Sequence, residues 1–238
     1  MRLLTEKIRS KHLNIVRLIG NVVSEVKSSS SNVKFNFRTY DKDNFHATHK
    51  VVVPSFVMKN CPISIEKDQK LFINGKLTLI DFIRDNGKKG TIFKVLGLHI
   101  NQIDNGEVED VDDIDCQNNV DTERTFEVND QNRVILESII WTKIQNEDKF
   151  SFFSVANGRS KLNDEGCIQS VFDFIPIFAY DEKLRNTLKN QLNRLDRVRI
   201  EGFLRYKQCF NQIGEAKSNG YVEATRITKL IPICNTKK

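Results

Sequence analysis

The stretch Arg197-Val198-Arg199-Ile200-Glu201-Gly202-Phe203-Leu204 alternates, with Val198, Ile200 and Leu204 on one side and Arg197, Arg199 and Glu201 on the other. A period of two with β-branched residues predicts a half-buried strand. Gly202 falls where such a strand bends, as at a barrel corner. The same pattern occurs in Gln69-Lys70-Leu71-Phe72-Ile73-Asn74-Gly75-Lys76-Leu77, and Gly75 precedes Gly202 by 127 residues. Asn14-Ile15-Val16-Arg17-Leu18-Ile19 and Asn132-Arg133-Val134-Ile135-Leu136 open two similar series, which Ile100-Asn101-Gln102-Ile103 and Ile227-Thr228-Lys229-Leu230 close. The chain therefore reads as two copies of one unit.

Each copy predicts five strands. In the first they are 13–26 with a bend at Gly20, 33–40, 50–54, 71–83 and 91–103. The serine run within 27–32 predicts a polar hairpin loop, 85–90 a tight turn, and Pro62 limits any helix over 55–66 to a short one. In the second copy they are 133–144, 150–156, 170–179, 197–210 and 221–231, with polar loops over 157–167 and 211–220. Leu184, Leu188, Leu192 and Leu195 keep helical spacing behind Asp181, so 181–195 predicts a helix with Asp181 as its N-cap. Phe35, Phe37, Phe150 and Phe152 alternate with polar residues and are expected in the core, as are Phe72 and Phe174.

The net charge is +6, but its distribution matters more. Residues 104–130 hold eleven acids and one base, Arg124, so this segment carries −10 and the remainder +16. Two basic copies joined by an acidic connector, expected to be disordered, point to a polyanionic partner. No apolar run reaches the ~18 residues that span a membrane. Cys61, Cys116, Cys167, Cys209 and Cys234 form no C-x-x-C pair, so free thiols are expected. His46 and His49 lack a third ligand nearby and read as surface residues, so no metal or other cofactor is expected. No phosphate loop or nucleophile elbow is present, and the chain reads as non-enzymatic.

The order of parts resembles the single-stranded DNA-binding protein of the bacterial and mitochondrial kind, an OB-fold. The resemblance rests on Asp173-Phe174-Ile175-Pro176-Ile177-Phe178, then 184–195, then Val198-Arg199-Ile200-Glu201-Gly202-Phe203-Leu204. It covers roughly 13–104 and 131–231. The first copy lacks a long helix before its glycine strand, and Ser138 stands in the second where Gly20 stands in the first. The resemblance implies an all-β protein of two tandem five-stranded OB-fold barrels: an N-terminal arm (1–12), a first OB-fold (13–104), an acidic linker (105–130), a second OB-fold (131–231) and a basic tail (232–238).

It also implies a coating role on exposed single strands in replication, repair or recombination. Such binding needs cations along the phosphates and aromatic faces for unpaired bases. The residues expected to supply them are Phe82, Arg84, Lys88 and Lys89 in the first copy, and Phe172, Phe178, Arg199, Arg205, Tyr206, Lys207 and Phe210 in the second. Phe82, Tyr206 and Phe210 are expected to be exposed near the hairpins. Thr48 and Cys209 stand at two places where the family often carries tryptophan. The alternatives are an RNA-binding OB protein and a scaffold subunit of a replication or telomere complex that binds mainly protein. The family's tetramers imply a homodimer of this chain. The compartments implied are mitochondrial or bacterial cytoplasm and nucleoid, with the nucleus also compatible. The N-terminal arm is basic and reads as a frayed arm or a shortened presequence.

Overall fold

Alternation along the chain becomes β-structure almost throughout. The computed structural model describes residues 12–40, 46–61, 63–83, 89–103, 131–162, 167–210 and 216–230; of 81–83, 89–91, 161–162, 168, 208–210 and 216–218 it describes the backbone. In the first part of the chain lie β1 (Asn14–Val22), β2 (Lys27–Ser28), β3 (Asn32–Tyr40), β4 (His46–Pro54), α1 (Ser55–Lys59), β5 (Lys70–Ile83) and β6 (Lys89–Gln102). After them come β7 (Gln131–Ile140), β8 (Gln145–Asn146), β9 (Ser151–Leu162), β10 (Ile168–Ala179), α2 (Glu182–Gln191), β11 (Arg197–Phe210) and β12 (Ala216–Lys229). The fold is all-β and of OB type. Two compact units divide the chain: Met1–Val16, Gly75–Leu96 and Arg133–Lys238 in one, Arg17–Asn74 and Gly97–Asn132 in the other.

In the larger unit the strand order β7-β11-β12-β10-β9 returns on itself through β7–β9, closing a five-stranded barrel. β10 runs parallel to β12, with Ile177 beside Val222, while the other ladders of the barrel are antiparallel. Val134, Leu136, Ile140, Phe153, Val155, Ile175, Ile177, Val198, Ile200, Leu204 and Val222 fill its interior. Leu184 and Leu188 of α2 are buried with them. The Asp181 carboxylate accepts from the Leu184 amide at 2.8 Å, so the N-cap read from the sequence is made.

The strand bend at Gly202 has a defined cause. The β11–β12 register slips between Glu201 and Gly202, so that Glu201 faces Arg226 and Gly202 faces Ala224. Thr225 is the extra residue of a β-bulge, its hydroxyl donating to the Glu201 carbonyl at 3.2 Å. A Cβ on Gly202 would overlap the Glu223 carbonyl oxygen, so only glycine lets the two backbones approach.

First-copy residues also belong to this unit. The Asn14 side chain donates to the Leu77 carbonyl at 2.8 Å and accepts from the Leu77 amide at 2.9 Å. The Glu137 amide of β7 donates to the Leu13 carbonyl at 2.9 Å. Buried Asn157 donates to Ser138 Oγ at 2.9 Å and to the Leu13 carbonyl at 3.3 Å. Phe93 of β6 lies against Gly220 of β12, where a Cβ would meet its ring.

In the smaller unit the strand order is β2-β3-β4-β6-β5-β1, with a further β1–β3 pairing that sets Asn21 opposite Arg38 and Val22 opposite Phe37. Leu18, Val22, Phe35, Phe37, Val51, Val53, Leu71, Ile73 and Ile100 are buried. Phe35 and Phe37 are thus core residues, as their alternation predicts. His49 is buried instead of surface-facing, because it shares parity with Ala47, Val51 and Val53; its Nε2 lies 2.9 Å from the buried Thr39 hydroxyl. That hydrogen bond satisfies the imidazole in an apolar interior.

Four further expectations change. Residues 157–162 continue β9 instead of forming a loop, pairing from Leu162–Ile168 down to Ser151–Ala179, so the hairpin is longer than its apolar part. Polar side chains on both faces hide such a ladder from a hydrophobic pattern. The helix stops at Gln191: Leu192 is extended and Leu195 has φ 73°. Phe174 is 45 % exposed, and Phe72, Phe150 and Phe152 are half-buried, none of them in the core. Tyr206 is half-buried where exposure was expected, because it keeps the inward parity of Leu204. The arm 1–11, the connector 104–130, Arg84, Lys88 and the tail 231–238 lie outside the described residues, as do the side chains of Phe82, Lys89 and Phe210.

Candidate nucleic-acid interface

Even-numbered residues of β10 face away from the barrel interior, since Asp173, Ile175, Ile177 and Ala179 are buried. The outward set is therefore Phe172, Phe174, Pro176 and Phe178, followed by Tyr180 just past the strand. β9 adds Phe152 directly opposite Phe178. β12 adds Tyr221, one position before Val222, the partner of Ile177.

These strands assemble a contiguous aromatic surface. Phe178 stacks on Phe152 with ring centroids 5.6 Å apart and planes 15° off parallel. It lies 6.3 Å from Tyr180 at 18° and meets Tyr221 edge-on at 4.9 Å. Phe150 lies 6.1 Å from Phe152, 5.6 Å from Phe178 and 6.1 Å from Tyr180. Burial pushes the Tyr221 hydroxyl's pKa up, and a hydrogen bond with the Tyr180 side chain adds to this. Tyr180 remains 45 % exposed, so the surface has an open edge. Offset and edge-on pairs of this kind are held by the ring quadrupoles as well as by burial.

Cations border the surface on β11. Arg205 faces Tyr221 across the ladder; its guanidinium lies 5.4 Å from the Phe203 ring centroid and its Nε 3.1 Å from Glu223 Oε2. Lys207 is exposed two residues further on. Arg199 is placed differently. It faces Glu137 across β7 and its Nε lies 3.4 Å from Glu201 Oε1, on a face where Arg133 also pairs with Glu201 at 3.0 Å and Arg197 with Glu137 at 3.3 Å. On that face three arginines share two carboxylates.

Of the residues expected from the sequence, Phe178 and Arg205 are brought together through Tyr221, and Lys207 lies further along the same strand. Phe172 sits towards the other end of β10, over Gly158, whose Cβ would lie 3.2 Å from its ring. Tyr206 points inward, and burial pushes its hydroxyl's pKa up. Phe150 and Phe152 were expected in the core, and Tyr180 and Tyr221 were not singled out by the sequence. Their signal was present for Tyr180, which shares the parity of Phe172, Phe174 and Phe178. For Phe152-Phe153 one ring must face each way, and the sequence does not say which.

Among the described residues no group of His, Cys, Asp or Glu is placed to hold a metal ion. A cleft of about 260 Å³ beside α2 is lined by polar side chains, and there Arg185 donates to the Asp148 carbonyl at 2.7 Å. No helix among the described residues is long and apolar enough to cross a membrane.

A closed five-stranded barrel with a parallel contact between its third and fifth strands, and an aromatic outer face edged by arginine and lysine, defines an OB-fold of the nucleic-acid-binding class. The fold is of OB type, and residues 135–230 match the Single-strand binding protein family. Its fold is similar to that of the wild-type single-stranded DNA binding protein from Thermus aquaticus, with TM-score 0.61 and 16 % identity over 93 % of this chain and 95 % of that one. A deletion mutant of the same Thermus protein superposes with TM-score 0.61 and 16 % identity over 96 % of this chain and 100 % of that one. No curated protein matches this chain by sequence.

Proposed function

We propose that this chain is a non-enzymatic single-stranded DNA-binding protein built from two OB-fold copies, residues 13–104 and 131–231, joined by the acidic segment 105–130. The observation that carries the reading is the aromatic surface of Phe150, Phe152, Phe178, Tyr180 and Tyr221 beside Arg205 and Lys207. Unpaired bases stack on such rings whatever their sequence, at roughly 1–3 kcal/mol per base, while cations follow the phosphates. A duplex keeps its base faces stacked inside and gains only the phosphate contacts. The role is therefore to coat exposed strands in replication, repair or recombination.

In the first copy the reading keeps Phe82, Arg84, Lys88 and Lys89 as the corresponding hairpin contacts, and Phe210 in the second. Arg199 is set apart from this surface, because it lies with Glu201 and Glu137 where β11 runs beside β7. The assembly proposed is a homodimer carrying four OB copies, and light scattering near twice 27.5 kDa is the expected result. A monomeric mass removes the dimer.

The function is tested by titrating the full chain into labelled poly-dT, poly-U and duplex DNA at several salt concentrations. The expected result is tight binding to poly-dT, weak binding to duplex, and an affinity that falls steeply with salt as counterions are released. Preference for poly-U would make it an RNA binder. Absence of binding to every oligonucleotide would leave a protein scaffold.

A further inference from the structure

The single tryptophan of the chain, Trp141, takes no part in the aromatic surface described above. It follows the last residue of β7, and its amide donates to the Ser154 carbonyl of β9 at 2.8 Å. The Thr142 hydroxyl accepts from the Ser154 amide at 2.8 Å, so the backbone that carries the indole is fixed. The indole lies 5.5 Å from the ring of Phe174, tilted 45°, and is only half-buried. Phe174 is 45 % exposed.

The Arg194 guanidinium lies 5.7 Å from the indole centroid. Its position is set by a tight turn: the Asp196 carboxylate accepts from the Asn193 amide at 2.9 Å, and the Asp196 amide donates to the Asn193 carbonyl at 3.1 Å. The next residue, Leu195, has φ 73°, a left-handed conformation that leucine rarely adopts. Its amide is held at 2.8 Å by the Ile140 carbonyl, and its side chain is 48 % exposed. A strained backbone that keeps a cation over an accessible indole is an arrangement found at binding sites.

Arg194 differs in charge pairing from most arginines of β7, β9 and β11. Arg133, Arg159, Arg197, Arg199 and Arg205 are each paired with a carboxylate. Among the described residues no carboxylate pairs with Arg194. The site is also continuous with the aromatic surface, because Phe174 and Phe178 share the outward face of β10 about 13 Å apart.

We propose that Trp141, Phe174 and Arg194 form a second stacking station, which takes an unpaired base of the bound strand on the indole and a phosphate on Arg194. The inference rests on the single-strand reading and extends its track along β10 past Phe178. Arg194 then exchanges a cation–π contact for a phosphate while remaining next to the ring.

Because Trp141 is the only indole, intrinsic tryptophan emission reports on this station alone. Full-length protein is titrated with end-labelled oligo-dT while label anisotropy and tryptophan emission are followed together. The expected result is quenching that saturates with the same midpoint as the anisotropy and reverses with salt. Arg194→Gln, an exposed position, is expected to keep the melting temperature and to weaken binding about fivefold. Anisotropy that saturates while the emission stays constant overturns the station and leaves the proposed function standing. Unchanged affinity in Arg194→Gln removes the phosphate contact. No rise in anisotropy at all defeats the proposed function, and the station with it.

Discussion

Phe178 is the residue on which the aromatic surface turns, touching Phe150, Phe152, Tyr180 and Tyr221. Phe178→Leu keeps an apolar side chain over the barrel but removes the ring face. It is expected to weaken oligo-dT binding by about 1–3 kcal/mol per lost stack, with a smaller change in melting temperature. Equal affinity in an anisotropy titration would move the stacking elsewhere. Tyr221 gives a second expectation. Its pKa is raised in the folded chain, chiefly by burial, so the folded state holds the phenolic proton more tightly than the unfolded state does. Stability is then full below the ordinary tyrosine value of about 10 and is lost as pH rises above it. Tyr221→Phe should flatten part of the fall in melting temperature between mildly and strongly alkaline pH. An identical pH profile for the variant would assign the fall to other groups.

At the scale of elements, Gly202 binds sequence to fold most directly. Its Cβ-less backbone admits the Glu223 carbonyl where Thr225 bulges from β12. Gly202→Ala should destabilise the chain by about 1–3 kcal/mol, as overpacking does, measured by denaturant unfolding. A change within error would show that the bulge relaxes freely. This strand also shows what the sequence makes legible. Val198, Ile200 and Leu204 announce β11, and Asp181 with its leucines announces α2, because burial on one face writes a period into the chain. The hairpin beyond Ala156 leaves no such trace, since β9 continues there in polar residues, of which Arg159 pairs with Asp173 at 2.8 Å. His49 shows the opposite limit: parity with Val51 and Val53 places it inside, and Thr39, ten residues away, makes that tolerable. Of the candidate site, Arg205 and Lys207 are read from charge on β11, and Phe172 and Phe178 from the resemblance to the family's stacking positions. The ion pairs that occupy Arg199, and the way in which Tyr221 reaches Phe178, depend on which strands are neighbours, and periodicity does not carry that information.

For the molecule as a whole, charge and shape act together. The connector's net −10 is tethered to segments that carry +16, at high effective concentration, and is expected to compete with DNA for their cations. Replacing the acids of residues 104–115 by Asn and Ser should raise oligo-dT affinity most at low salt, where screening is weakest. Equal low-salt affinities would reduce the connector to a spacer. Packing adds a constraint from within the larger unit, where Asn14 and Leu77 share two hydrogen bonds and Phe93 lies against Gly220. First-copy residues are thereby built into the unit that carries the aromatic surface. The most direct test of that surface is photocrosslinking of the full chain to oligo-dT substituted with iodouracil, followed by peptide mass spectrometry. The account predicts adducts on the peptides that carry Phe178 with Tyr180, Tyr221 and Phe152. Efficient crosslinking confined to peptides outside β9, β10 and β12 would contradict it.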